Sequence, residues 1–277
     1  MKTLMIASFI LGSFVSFALP DQHRQCNFAC KSIPPEESAL TQITTTTADQ
    51  LPNENFHVVI WNIYKAKKAN FSEKFNQILH KSHLILLQEY IDDDEMTQFI
   101  NQNSNMEFYH AESFWLKDQI PTGVATGSYA TALFVKNQQT KAVEPWVNSP
   151  KSNLITVYQT TKNKKLMVIN IHGLNRTSET DLEDQLKRTS TYIEHHIGPI
   201  IFAGDFNSRN NNRKKVVENF FKGFNFKLVE FANDPRTSRK RIDHIFYRGL
   251  NILNSKIEMD TEASDHPILS MDASIAD

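Results

Sequence analysis

At 277 residues, with 40% hydrophobic and 22% charged side chains, the chain can bury a large core as about one or two domains, and its composition excludes a disordered or fibrous protein. A formal net charge of -1 supplies no overall field for a polyanion, so any such attraction must come from local clustering of charge.

The chain opens with Lys2, an apolar stretch over 3–15 and the small-x-small pattern Ser16-Phe17-Ala18, which predicts an export signal over 1–18 cleaved after Ala18. Ser8, Gly12 and Ser13 interrupt the segment, and it falls short of the roughly 20 residues of a membrane anchor. The mature protein is therefore expected in a periplasm or outside the cell. The only cysteines, Cys26 and Cys30, follow directly; their spacing is bridgeable in a helix or turn, which is compatible with a local disulfide in an exported chain. Residues 31–55 are rich in Pro, Ser, Thr and Gln without an apolar period, so 19–55 reads as an arm or linker and 56–277 as the folded domain.

From Phe56 onward short apolar runs alternate with amphipathic segments. Strands are predicted at 57–63, 84–89, 130–136, 154–160, 166–172, 199–205, 226–231, 241–247 and 267–272, several as continuous apolar runs that suit strands buried on both faces. Phe71, Phe75, Ile78 and Leu79 share a helix face, and Leu182, Leu186, Ile193 and Ile197 mark a longer helix that Ser178 and Asp181 would cap. Acids at 92–95 fit a helix start, and His195 and His196 a helix end. The mixture, without an internal repeat, predicts one α/β or α+β domain of about 220 residues.

The strand ends share a chemistry. Asn62 closes the first strand and Glu89 the second. Asn170 and His172 end "LMVINIH", and Asp205 and Asn207 end "PIIFAGDFN". Asp243 lies in "RIDHIF", and Asp265 and His266 lie in the turn "SDHP". Each alone is an ordinary turn or rim residue. Together they put carboxylates, carboxamides and imidazoles where α/β folds build their sites. Such oxygen donors suit a hard cation such as Mg2+ (or Mn2+), a buried Asp or Asn can orient water, and imidazoles offset phosphoryl charge, so the set suits metal-assisted hydrolysis of a phosphodiester.

In order and separation, "WNI", "LLQE", "NIHG", "GDFN", "RIDHIF" and "SDHPI" resemble the endonuclease/exonuclease/phosphatase superfamily over about residues 56–273. The resemblance implies a deoxyribonuclease I-like, four-layer α/β/β/α sandwich of two mixed sheets flanked by helices. It implies Glu89 as principal metal ligand with Asn62 in the same site, and Asp265 as a residue that binds metal or polarises a histidine. Asp205 would orient or deprotonate water, Asn207 would hold phosphate, and His266, oriented by Asp243, would contact the scissile phosphate. His172 occupies the other histidine's position, as phosphate contact or leaving-group acid. The chain departs from the deoxyribonuclease pattern in one respect: residues 122–135 contain no acid to back His172, so Thr126 or Ser128 is the candidate to contact phosphate or orient that ring.

Basic residues cluster beside the motifs: Lys65, Lys67 and Lys68; Arg209, Arg213, Lys214 and Lys215; and Arg236, Arg239, Lys240 and Arg241. A converged positive rim favours nucleic acid as the substrate, with Asn170 and Arg209 as further substrate contacts. A sphingomyelinase-type lipid phosphodiesterase is the alternative, for which 106–115, "MEFYHAESFW", would have to form a membrane-inserting hairpin, although its alternation fits a half-buried strand. A catalytically silent exported binding protein is the other alternative. Nothing points to an obligate protein partner, and a monomer is expected.

Overall fold

In the computed structural model, residues 32–116, 119–145 and 147–276 are described; the predicted leader, Cys26 and Cys30 lie outside them. Among the described residues, thirteen strands make two mixed sheets. The first contains β1 (Leu40–Thr44), β2 (Phe56–Asn62), β3 (Leu84–Ile91), β4 (Glu107–Trp115), β5 (Pro121–Ser128), β12 (Leu250–Glu258) and β13 (Ile268–Ile275), in the order β1-β4-β5-β3-β2-β13-β12. The second contains β6 (Ala132–Gln139), β7 (Ser152–Gln159), β8 (Lys165–His172), β9 (Ile200–Asp205), β10 (Lys227–Leu228) and β11 (Asp243–Arg248), in the order β10-β11-β9-β8-β7-β6.

Strand parity explains the layering. Val58 and Ile60 of β2, with Leu84 and Leu86 of β3, face Val168, Ile201 and Ile245 of the other sheet in a core between the sheets. Val59 and Trp61, with Ile85 and Leu87, face outward onto Phe71 and Phe75 of α1 (Phe71–Leu79) and Met96 and Ile100 of α2 (Asp94–Asn103). On the far side Ile169, Ile171 and Phe202 meet Leu182 and Leu186 of α3 (Glu179–Lys187), Ile193 of α4 (Ser190–His195) and Phe221 of α5 (Asn211–Gly223). Both faces of the central strands are thus apolar because both are covered, as their continuous apolar runs predict.

Three findings differ from the sequence reading. The 31–55 segment is no free linker: β1 pairs with β4, and Leu51 is fully buried against the 160 turn. The long helix breaks after Lys187, where the Thr189 hydroxyl donates to the Leu186 carbonyl at 2.7 Å. The strand predicted at 226–231 shrinks to two residues, and β5 and β12 went unread. The 106–115 stretch forms β4, paired on both sides by β1 and β5, in keeping with the strand that its alternation predicts. The capping box at Ser178 and Asp181 forms as predicted.

Candidate active site

Two parallel strand pairs aim at one place. The β2–β3 pairing ends with Asn62 opposite Gln88, and β8 and β9 end with His172 opposite Asp205. The β8–β9 approach depends on Gly204, whose φ of 142° suits glycine and whose absent Cβ would lie 2.0 Å from the Ile171 carbonyl oxygen. Asp243 and His266 arrive differently from expectation. β11 and β13 run antiparallel to β9 and β2, so Asp243, opposite Asp205, and the turn ahead of β13 reach the site from the amino ends of their strands.

Asp205, 1% exposed, is the focus. Its Oδ1 accepts the Asn207 backbone N–H at 2.8 Å, and Oδ2 accepts Asn62 Nδ2 at 3.3 Å. His172 Nε2 and His266 Nε2 stand 3.7 and 3.9 Å from Oδ2. Burial, and then the Asp243 carboxylate, push the Asp205 carboxyl up toward neutrality against the pull of His266. Asp243 Oδ1 meets His266 Nδ1 at 2.9 Å. Burial lowers the His266 imidazole, but the Asp243 charge and hydrogen bond outweigh it and raise the ring to about 10. His172 is held well below the ordinary histidine range, first by burial and then by the positive charge of Lys151.

Glu89 owes its position to a bulge. Gln88 pairs with Val124 and Tyr90 with Gly123, leaving Glu89 as the extra residue, with φ of 52°. The bulge turns its carboxylate into the cleft, where it is ion-paired to Lys65. Burial would raise this carboxyl, yet Lys65, His172 and Lys151 hold it well below the usual carboxylate range. Tyr64, Lys65 and Ala66 are themselves left-handed, at φ of 50°, 56° and 54°, and the Asn62 side-chain oxygen secures the first by accepting its N–H at 3.1 Å.

Glu89, His172, Asp205, Asn207, Arg209, Asp265 and His266 all line one cleft of about 480 Å³. Asn62 and Asp243 are buried behind it, the one bonded to Asp205 and the other to His266. Asn207, at φ of 49°, is fixed by its Nδ2 donating to the Gly173 carbonyl at 2.9 Å.

Three predicted substrate contacts lie elsewhere. Asn170 is fully buried between the sheets, donating to the Leu87 and Ala125 carbonyls and accepting Gln88 Nε2 at 2.7 Å. Thr126 is beside it, and the Ser128 hydroxyl accepts the Ala130 N–H; both residues are fully buried. The expectation that these three touch substrate is corrected on burial alone. The basic rim is also smaller than predicted. Arg213, 4% exposed, binds the carbonyls of Leu174, Thr177, Ser178 and Asn207. Arg236 holds Asp234 and the Asp243 carbonyl, and Lys214 donates to the Ser238 carbonyl. Lys65, Lys67 and Arg209 remain at the cleft.

Sequence reasoning missed the cleft's other wall. Glu144 and Lys151, 3.4 Å apart, come from the β6–β7 connection, which carries no motif. The signal was topological: a segment entering β7 antiparallel to β8 must pass the end of β8, where His172 sits.

The donor chemistry fits a hard divalent cation. Asp205 and Asp243 offer carboxylate oxygens within 4.8 Å of each other, and Asp243 Oδ2 is buried without a hydrogen-bond partner among the described residues. Glu89 and Asp265 add carboxylates at the same cleft.

The family model of the Endonuclease/Exonuclease/phosphatase family matches residues 59–266. A UPF0294 protein of Vibrio parahaemolyticus is 33% identical over 228 residues, covering 78% of this chain and 77% of that protein. Among solved structures, an endonuclease/exonuclease/phosphatase of Beutenbergia cavernae is similar at a TM-score of 0.63 and 13% identity, covering 80% of this chain and 72% of that one. The catalytic domain of human Nocturnin, solved with a bound sulfate anion, is similar at a TM-score of 0.63 and 16% identity, covering 88% of this chain and 99% of that one. With its two-sheet sandwich and the six motifs brought to one end, the chain belongs to the endonuclease/exonuclease/phosphatase family, a family of phosphoester hydrolases.

Proposed function

We propose that the protein is an exported, divalent-metal-dependent phosphodiesterase whose substrate is nucleic acid. The observation that carries the hydrolytic reading is the Asp205 environment. A buried carboxylate with a raised pKa lies between two histidines, and one of them is kept cationic by its own buried acid. A base near neutrality can take a proton from water, and an imidazolium beside it can neutralise phosphoryl oxygens.

Glu89, with Asp265 and Asn62 nearby, would hold a Mg2+ or Mn2+ ion, which when bound supplies Lewis-acid stabilisation of the phosphoryl charge. The chain's residues do the rest. Asp205 orients water and accepts its proton, Asn207 and His266 hold the non-bridging oxygens, and Asp243 keeps the His266 ring in place. The predicted leader at 1–18 supports export.

Lys65, Lys67 and Arg209 at the cleft support a polyanion, and the pairing of β4 on both sides supports a sheet strand there over the membrane-inserting segment that a lipid reading would use. The test is a panel of duplex DNA, single-stranded DNA, RNA, sphingomyelin vesicles and bis(p-nitrophenyl) phosphate, with Mg2+ or Mn2+. Cleavage of a nucleic acid is the expected result, and Arg209→Glu should weaken it more than cleavage of the small diester. Hydrolysis of sphingomyelin alone would favour the lipid reading, and silence on all would favour a binding protein.

A further inference from the structure

Across the end of the second sheet, four adjacent strands present chemistry in a fixed lateral order. Asp243 comes from β11, Asp205 from β9, His172 from β8 and Lys151 from the residue just before β7. Asp243 is opposite Asp205 and Asp205 opposite His172; Asn153 is opposite Ile171, so Lys151 is level with the residue after His172. With strands about 4.8 Å apart, Lys151 stands roughly 10 Å along from Asp205, with His172 between. In-line displacement at phosphorus requires the attacking and leaving oxygens on opposite sides. If water is held at Asp205, the leaving oxygen faces the Lys151 side.

His172, the histidine between Asp205 and Lys151, turns its Nε2 toward Asp205 Oδ2, 3.7 Å away, on the water's side. Lys151 is nearly withdrawn from solvent, its side chain 11% exposed, yet lines the cleft. Glu144 Oε2 lies 3.4 Å from its Nζ, while Oε1 accepts the Asn175 N–H at 2.8 Å. An ammonium carries three N–H donors, and one turned to Glu144 leaves others for the cleft.

We propose that Lys151 is a catalytic residue of the phosphodiesterase reaction, hydrogen-bonding the leaving oxygen and protonating it as the ester bond breaks. The proposal rests on the hydrolytic reading above. Water oxygen forms the new P–O bond and gives a proton to the Asp205 carboxylate. The old P–O bond breaks, its electron pair stays on the leaving oxygen, and an Nζ proton moves to that oxygen to give the free alcohol. The amine left behind recovers a proton from solvent. His172 contributes a neutral N–H to a phosphoryl oxygen, and Glu144 keeps the lysine aimed.

The test uses methyl phosphate diesters with p-nitrophenyl or phenyl leaving groups, since p-nitrophenolate departs without a proton and phenolate benefits from one. Lys151→Ala and the near-isosteric Lys151→Met should lose about 100-fold or more in kcat on the phenyl ester and under about 5-fold on the p-nitrophenyl ester, the range of general acid catalysis. Lys151→Arg, which keeps the charge but does not release a proton, should show the same split. Thermal melts check that each variant is folded, and Glu144→Gln, which leaves the amine in place, should show a weaker version of the split. Equal losses on both esters, no loss on either, or full rescue by arginine would overturn the proposal while leaving the hydrolytic reading standing. A wild type silent on both esters would overturn the two together.

Discussion

Asp205 and Asn170 carry similar lessons in opposite senses. Both are polar residues near the end of an apolar strand, and both face the interior between the sheets. Asn170 has the same parity as His172 on β8 but sits two residues, roughly 6.6 Å, further from the strand end. Depth along the strand, and not the letter, decides that His172 meets the cleft while Asn170 becomes a buried bridge between sheets. Thr126 and Ser128 fail as site residues for the same reason: β5 runs antiparallel to β3, so its later residues recede from Glu89. Asp205 and Asn207 were legible because they stand at a strand's last residue and in the turn beyond it, Asp265 and His266 because they fill the turn ahead of β13, and Glu89 because it closes an apolar run at the bulge within β3. At this scale the His266–Asp243 pair yields a pH prediction. The Asp243 carboxylate raises the ring against burial, which lowers it, so replacing the carboxylate leaves only the lowering influence. In Asp243→Asn, His266 should therefore lose its proton at lower pH. The alkaline limb of the activity profile should shift down from the neighbourhood of pH 10, with kcat reduced by about 100-fold or more. An unchanged alkaline limb in the pH–rate profile would contradict the pairing.

At the scale of elements, what the sequence could carry was set by burial. β2, β3, β8 and β9 are covered on both faces and so are nearly continuous apolar runs, readable without a partner. β5, "PTGVATGS", has no such signature because its glycines serve its neighbours. A Cβ at Gly127 would lie 2.3 Å from the Phe108 ring of β4, and Gly123 lies across from the bulge that exposes Glu89. β1, "LTQIT", reads as part of a Thr-rich arm because its strand character comes from pairing with β4. The seam between the sheets makes a prediction of its own. Asn170 bonds to Leu87, Ala125 and Gln88 across that seam, so Asn170→Ala strands buried polar groups at several partners. Stability should fall by about 1 to 3 kcal/mol in urea unfolding, while KM for a small diester stays unchanged. A raised KM with unchanged stability would return Asn170 to the substrate.

The whole molecule is four layers with its chemistry at one end, and its N-terminal segment is part of the load-sharing. β1 covers the edge of β4, whose Glu107 and Glu112 accept hydrogen bonds from Gln42 and Thr41 at 3.0 Å. A chain beginning at residue 56 should expose that edge, unfold at lower urea concentration than a chain beginning at residue 32, and associate through the bared strand, as size-exclusion chromatography would report. Equal midpoints and a monomeric truncation would show the arm to be dispensable. Over the molecule as a whole, the family, the layered fold and most of one wall of the site were legible in local motifs. The second wall was not, since Glu144 and Lys151 reach the cleft only through the order in which strands pair.

The central claim is that this end of the sandwich hydrolyses phosphodiesters with a divalent cation held by its carboxylates. The most direct measurement is the rate of p-nitrophenolate release from bis(p-nitrophenyl) phosphate by the purified protein, titrated with Mg2+ or Mn2+ and then chelated. Saturable activation and loss on chelation are expected, together with a Glu89→Gln variant that binds the metal more weakly by calorimetry and turns over at least about 100-fold more slowly. A rate that chelation and Glu89→Gln both leave unchanged would contradict it.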